Sequence, residues 1–328
     1  VAAYETGTRI SRFYSPRLLE KNVHFPCTMG AFAAIAGYAK AAGLNADTIT
    51  GALSLAGLFP IGAYSTAVSG ASGKCLYSGW PNYLGINAVR FSCLNLQGDA
   101  DILEHRAGFS APFGLAPLNA GDYPVLFADL GRRFRIMDTY FKPYPCNRWF
   151  HAPVAAALKL KEENRFHAGE VVSLTVYGPP FMEMYSTRGG FDSKVRCQYS
   201  LPYAVGAALV AGKLGLEEFE PPMRSNKILL ELVQKIQVKQ DAASLPPGVR
   251  PMRVEITLKN GTKLIRDQDH PWSPENPPSG EELIAKFNKI TASVLSDTMR
   301  QRWIDCYAKG FFADEVYQTV TGLLSEKI

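Results

Sequence analysis

Lys74 ends an uncharged run that begins at Thr48, so its ammonium is the first charge met in a long Ala-, Gly- and Ser-rich stretch. A lysine in that setting either rests in solvent on its flexible stem or faces an anion. His24, in V-H-F-P-C-T-M-G, stands just before an Ala-rich segment. An imidazole near a helix N-terminus can exchange a proton beside a bound carboxylate, or it can be an ordinary hydrogen-bonded core residue. Lys142 and Arg148 bracket the proline-rich turn F-K-P-Y-P-C-N-R, and His151 follows. A lysine acting as a point charge and an arginine acting as a fork suit a di- or tricarboxylate, although the two would also serve as an exposed surface pair. Tyr203, in S-L-P-Y, offers a phenolic proton or simply fills core. Taken together, lysine, histidine, arginine and tyrosine describe proton transfer on an anionic substrate without a metal or other cofactor.

Other chemistries have less support. Residues 69–75 (SGASGKC) end like a phosphate loop, but Val68 stands where the first glycine belongs and Cys75 cannot supply the metal-binding hydroxyl. No G-x-S-x-G elbow presents a nucleophilic serine. The six cysteines include no C-x-x-C pair and the five histidines are not spaced as metal ligands, so reduced structural thiols and no metal site are expected. A formal net charge of +5, not gathered into a basic block, argues against nucleic acid as a partner. The uncharged run from Thr48 is broken by Pro60 and several glycines, which argues against a membrane span. Glu5, Arg9 and Arg12 interrupt the first apolar stretch, so no secretory leader is read there; the cytoplasm or an organelle matrix is the expected compartment.

The elements that must position these side chains change in kind along the chain. Residues 29–43 and 51–59 read as Ala/Gly-rich helices whose axes can approach closely. Residues 82–96 form another helix by period, with Pro81 at its first turn. A helix opens at His151, and then residues 170–177 place Val172, Leu174 and Val176 on one face of a strand. Residues 253–259 and 262–266 flank Asn260-Gly261, the signature of a two-residue hairpin. Helices are expected over 203–214 and 225–236. The proline-rich stretch 269–280 is a connection, and Ser279 with Glu282 forms a capping box for the next helix. Leu283, Phe287, Ile290 and Val294 stripe that helix, and Asp314 caps a last one. The fold class expected is α and α+β: a discontinuous all-α domain with an α+β domain inserted into it.

In order along the chain, His24 with the Gly30 helix, the G-x-x-x-K of residues 70–74, F-K-P-Y-P-C-N-R-W-F-H at 141–151, S-L-P-Y-A-V at 200–205 and P-E-N-P-P-S-G-E-E-L-I-A-K-F at 274–287 resemble the MmgE/PrpD family. That family includes 2-methylcitrate dehydratase, cis-aconitate decarboxylase and iminodisuccinate epimerase. The resemblance implies a helical domain over 1–138, an α+β lid over 139–275, and helices over 276–328 that return to the first domain. It implies a homodimer and a metal-independent lyase for a small di- or tricarboxylate, with an epimerase as the alternative. It also implies catalytic roles for His24, Lys74 and Tyr203 and substrate binding by Lys142, Arg148 and His151.

Two departures from the family pattern shape the expectation. The sequence begins in what resembles the middle of the family's helical domain, so the sequence could be a fragment, a second chain could supply the preceding helices, or the protein could be a silent anion-binding subunit. Asn147 stands where members often carry Cys or His, which bears on substrate identity.

Overall fold

A computed structural model describes residues 1–59, 62–240, 252–309 and Gly322. The first part is helical: α1 (Ala2–Glu20), α2 (Phe25–Ala41), α3 (Ala46–Gly57), the short α4 (Ser65–Ser69) and α5 (Leu76–Cys93). Helix α2 lies between α1 and α5, and small residues make the close approach possible. A Cβ on Gly85 of α5 would come within 2.6 Å of the Ala31 carbonyl oxygen, so only glycine fits at that crossing. Pro81 lies inside α5 rather than at its first turn, because the helix begins at Leu76, earlier than the apolar period indicates.

Helix α1 has no counterpart in the sequence reading, and its charges explain why. Arg9 and Glu5 face inward. The Arg9 guanidinium donates to Glu5 at 3.0 Å, to the Leu126 and Arg133 carbonyls at 2.9 and 3.0 Å, and to Asp129 at 2.5 Å. Both side chains are buried, so an ion pair replaces part of the apolar stripe by which amphipathic helices are recognised. Around it Tyr14, Phe32 and Phe109 meet edge to face, with Phe109 5.0 Å from Tyr14 and 5.5 Å from Phe32. Turns and the short α6 (Asp122–Phe127) lead to residue 138.

The second part is α+β. Its elements are α7 (His151–Asn164), β1 (Val171–Gly178), α8 (Lys194–Gln198), α9 (Leu201–Ala211), α10 (Pro221–Arg224), α11 (Lys227–Gln234), β2 (Ile236–Gln240), β3 (Met252–Leu258) and β4 (Lys263–Gln268). The strands form one mixed sheet in the order β2-β1-β3-β4; β1 runs parallel to β2 and antiparallel to β3, and β3 and β4 form the hairpin read from Asn260-Gly261. Gly261 adopts φ +84°, as the turn requires.

Two strand expectations change. The pairing of β1 with β3 shifts between Val171 and Ser173, so Val171 turns inward beside Leu174 and Val176, and Val172 is half exposed. The expected helix over 225–236 ends at Gln234, and Ile236 starts an edge strand. The core of this part brings α7 and α9 against the sheet, with Phe150, Val154, Leu174, Val205, Leu209 and Ile256 essentially inaccessible.

Helices α12 (Gly280–Thr291) and α13 (Asp297–Lys309) follow. The capping box forms as read: Ser279 Oγ accepts from the Glu282 amide at 3.1 Å, and the Glu282 carboxylate accepts from the Ser279 amide at 2.8 Å. The helix expected after Asp314 lies outside the described residues. Among the described residues no helix is long and apolar enough to cross a membrane.

Candidate active site

His24 is the N-cap residue of α2, and its amide donates to the Gly62 carbonyl at 2.6 Å, which fixes the entry to the helix. Pro26 in the first turn removes an amide that would lack a partner there. The imidazole packs 4.1 Å from the Tyr77 ring and 5.6 Å from the Tyr64 ring, centroid to centroid. Its Nδ1 is buried without a hydrogen-bond partner. Burial, and after it the nearby Lys74 ammonium, push its pKa down to about 4. At neutral pH it is therefore an uncharged imidazole able to accept a proton.

Lys74 sits in the 3-10 turn Ser72–Cys75, held by a seam with the α+β part. Gly70, at φ +83°, lies so near α8 that a Cβ there would come within 2.6 Å of the Arg196 Cβ, and Ser193 donates its hydroxyl to the Gly70 carbonyl. The glycine of the G-x-x-x-K pattern thus serves backbone apposition, not phosphate binding. Across the same seam the Tyr64 and Tyr185 hydroxyls share a hydrogen bond, and the Lys74 ammonium lies 5.1 Å from the centre of the Tyr199 ring. Burial raises the pKa of Tyr64 and Tyr185, and pushes Tyr199 up to about 12, so all three stay protonated.

Lys142 reaches this region from the proline-rich turn, which α8 also holds. Gln198 donates to the Pro145 carbonyl at 2.8 Å, the Asn147 amide donates to the Gln198 carbonyl at 3.0 Å, and Lys142 Nζ donates to the Cys146 carbonyl at 3.3 Å. Lys142 is exposed at the surface, yet the protein crowded around its ammonium, and then the positive charges of Lys74, Arg148 and Lys286, hold its pKa below the ordinary lysine value. Lys74 is the common electrostatic neighbour of His24 and Lys142. One short helix, α8, positions both lysines.

Asn147 lies within reach of the Tyr185 hydroxyl, and it partly offsets the rise that burial causes in that tyrosine's pKa. Its Oδ1 accepts from the Trp149 amide at 3.1 Å, capping the turn that leads into α7.

Of the other three residues singled out by sequence, Arg148 and His151 lie within electrostatic reach of Lys142 but face a different space, and Tyr203 lies apart. Arg148 stacks its guanidinium on Trp149 (4.0 Å) and Tyr140 (4.8 Å) and opens with His270 onto a cavity of about 780 Å³ between α7 and residues 268–276. His151 is fully buried and stacks on His270 at 5.1 Å and 13°. Neither of its ring nitrogens has a hydrogen-bond partner; the Cys146 carbonyl favours a proton there without reaching good geometry. Burial, helped by His270 and Lys142, pushes the His151 pKa down to about 3; His270 falls to about 4, chiefly through burial.

Tyr203 departs most from its expected place. It is inaccessible, lies between Phe191 and Phe219, and donates its hydroxyl to the Glu218 carbonyl at 2.8 Å. Ser200 caps α9 by accepting from the Tyr203 amide at 3.1 Å, which turns the ring into the α+β core. The S-L-P-Y pattern thus reads as a helix start with a core tyrosine, and the structure does not bring Tyr203 to His24.

Sequence reasoning missed Tyr64, Tyr77, Tyr185 and Tyr199, whose only signal is their placement in short segments rich in Gly, Ser and Pro. It also missed His270, hidden in the 269–280 connection. Among the described residues no three His, Cys, Asp or Glu side chains converge as a metal site. The arrangement is an uncharged imidazole, two ammonium groups and protonated phenols at a seam between two structural parts. Such a set can bind an anion and move a proton beside it.

Comparison with known proteins agrees in outline. Residues 1–117 match the MmgE/PrpD N-terminal domain and residues 144–309 the MmgE/PrpD C-terminal domain. Cis-aconitate decarboxylase of Mus musculus is 26% identical over 286 residues, covering 84% of this chain and 57% of the relative. The Homo sapiens cis-aconitate decarboxylase is 24% identical over 287 residues, 85% of this chain and 58% of its own length. A cis-aconitate decarboxylase-like protein, oryM, of Aspergillus oryzae is 21% identical over 318 residues, 92% and 65% respectively. The chain thus spans less than two thirds of these relatives' lengths. With both domain types matched in order along it, the chain belongs to the MmgE/PrpD family.

Proposed function

We propose that this protein takes part in a lyase reaction on a small di- or tricarboxylate, of the decarboxylase or dehydratase type, at the seam where His24, Lys74 and Lys142 meet. The observation that carries the reading is the triad of an uncharged imidazole and two ammonium groups with no carboxylate in ion-pair contact with either lysine among the described residues. Cations without a carboxylate partner at one seam suit an anion, and the family and its cis-aconitate decarboxylase relatives support a polycarboxylate as that anion.

In the decarboxylation of cis-aconitate, the bond from carbon to one carboxylate breaks and CO2 leaves. The electron pair left behind spreads over the adjacent double bond until a proton is delivered to carbon. Negative charge builds on a group already anionic, and fixed ammonium groups at Lys74 and Lys142 lower that cost more in the transition state than in the ground state. His24 is uncharged while the site is empty. A carboxylate bound beside it opposes the effect of Lys74, raises its pKa from about 4, and makes proton uptake part of binding. A dehydratase would use the same residues to take a proton next to a carboxylate and release hydroxide as water.

The test is NMR of the purified chain incubated with cis-aconitate, 2-methylcitrate and iminodisuccinate, in the presence and absence of any chain that co-purifies with it. Turnover of the first or second is expected, with His24→Asn lowering kcat by roughly 10²–10⁴-fold. No turnover of any of them would remove the enzyme reading, and turnover of iminodisuccinate alone would replace a lyase with an epimerase.

A further inference from the structure

Lys142 has a second face. Beyond the candidate site it lines a cavity of about 670 Å³ formed by residues 142–145, the segment 214–220 and α12. Four lysines border this space, Lys142, Lys194, Lys286 and Lys289, against two carboxylates, Glu217 and Glu220. Both carboxylates are engaged: Glu220 pairs with Lys194, and Glu217 with Lys213. Lys286 instead donates to the Lys142 carbonyl and lies over the Trp272 ring at 5.7 Å; Lys289 forms no ion pair among the described residues, and its charge only helps Lys213 to lower the Glu217 pKa from a distance. Among the described residues, three ammonium groups thus share one concave space with no carboxylate in salt-bridge contact. Burial holds the Lys286 pKa below the ordinary lysine value, a cost that a bound anion would reverse.

The apolar lining, Pro143, Leu214 and Ile290 among it, leaves room for a short carbon skeleton between charged ends. A large aromatic ligand finds only one ring facing it, that of Tyr144. A nucleotide would need backbone amides for its phosphates; the helix starts that border the cavity are those of α8 at Lys194, already capped by Ser193 Oγ, which accepts from the Arg196 amide, and of α10, whose first two residues are prolines and offer no amide.

We propose that this cavity is a second carboxylate-binding site, an antechamber in which Lys286 and Lys289 hold one carboxylate of a small polycarboxylate while Lys142 is shared with the candidate active site. The inference rests on reading Lys142 as carboxylate-binding and goes beyond it by assigning α12 a part in substrate capture. Lys286, through its bond to the Lys142 carbonyl, is also a positioning residue for that lysine. Lys289 makes no such bond and contributes charge alone.

The experiment is calorimetric titration of the purified full chain with tricarballylate, a tricarboxylate without a double bond to react, at low and at high salt. Lys289→Gln should weaken binding about 2- to 5-fold, and Lys286→Gln/Lys289→Gln about 10-fold, with a shallower salt dependence than the wild type. Circular dichroism reports whether the variants keep their fold, and Lys286→Arg should restore most of the affinity. Binding by the double variant that matches the wild type in strength and salt dependence would overturn the proposal, as would no binding by the wild type. Retained binding that fails only in Lys142→Gln would leave the candidate active site standing and remove the antechamber. Weakened tricarballylate binding in the α12 variants, in a protein that turns over none of the three acids, would leave the antechamber standing and remove the enzymatic reading.

Discussion

Helices α9 and α5 are both rich in apolar and small residues, and the molecule treats them in opposite ways. Every residue of α9 from Leu201 to Leu209 is buried, because α7, α11 and the sheet close around it. Helix α5 packs against α2 and α3 on one side and leaves Leu76, Trp80, Tyr83 and Phe91 exposed on the other. The α+β part is thus held by one continuous apolar core. The helical part is held by smaller clusters and by the buried Arg9 network. Where packing is continuous, stability follows removed volume; where charges carry the contacts, it follows whether each charge keeps its partner.

The largest effect should come from the continuous core. Phe150 is inaccessible and meets the Tyr185 ring edge to face at 5.4 Å, so Phe150→Ala should cost about 3–5 kcal/mol by urea unfolding. A loss under ~1.5 kcal/mol would mean that this core relaxes around cavities and does not differ from the helical part. In the helical part Arg9→Met would leave the Glu5 carboxylate buried with, among the described residues, the Arg135 amide alone as a donor, at an expected cost of ~3 kcal/mol. Adding Glu5→Leu should recover much of that loss, since the pair then becomes apolar. The same recovery cannot occur at Phe150, where no partner is stranded. Thermal or urea unfolding of the double variant therefore tells the two kinds of core apart.

Acid should next weigh more on the α+β part, which holds both His151 and the adjacent His270, than on the helical part, which holds His24. His151 has a folded-state pKa of about 3, below the ordinary value near 6.5, so the unfolded chain takes up the proton first. Its contribution is whole above pH ~6.5 and is lost as pH falls toward 3, at up to about 1.4 kcal/mol per pH unit. His270 and His24, both at about 4, add to the decline over the same range. Unfolding midpoints measured from pH 7.5 down to 5 should fall, and His151→Gln should flatten part of the slope. An unchanged slope would mean that His151 is hydrogen-bonded in solution and that the stacked histidines do not weaken the α+β part in acid.

Local rules were legible where a few adjacent residues settle the outcome. The Ser279/Glu282 capping box, the Asn260-Gly261 hairpin and the helix starting at His151 all form, because each depends on backbone chemistry within a turn or two. The candidate site was legible in part. His24, Lys74 and Lys142 stand out by type against uncharged surroundings, but the segments that carry Lys74 and Lys142 are joined by α8, through Ser193, Gln198 and the Gly70 crossing, and no spacing announces those contacts. Tyr203 misleads for the converse reason. A tyrosine at a helix start looks available until the helix proves buried on all sides. Helix α1 escaped because its inward residues include an arginine and a glutamate, which periodicity counts as outward.

The smallest expected effect sharpens the contrast most. Trp80 is half exposed and, among the described residues, its one ring contact is with Tyr83, 5.5 Å away and tilted, so within the protomer Trp80→Ser removes little buried area and should change unfolding free energy by no more than about 0.5 kcal/mol. If α5 is free in solution, that value is independent of protein concentration. A loss above ~1 kcal/mol that grows with protein concentration would mean that the exposed stripe of α5 is covered by another chain. The helical part would then owe its stability to a contact outside the protomer, which the α+β part, with α9 enclosed on every side, does not need.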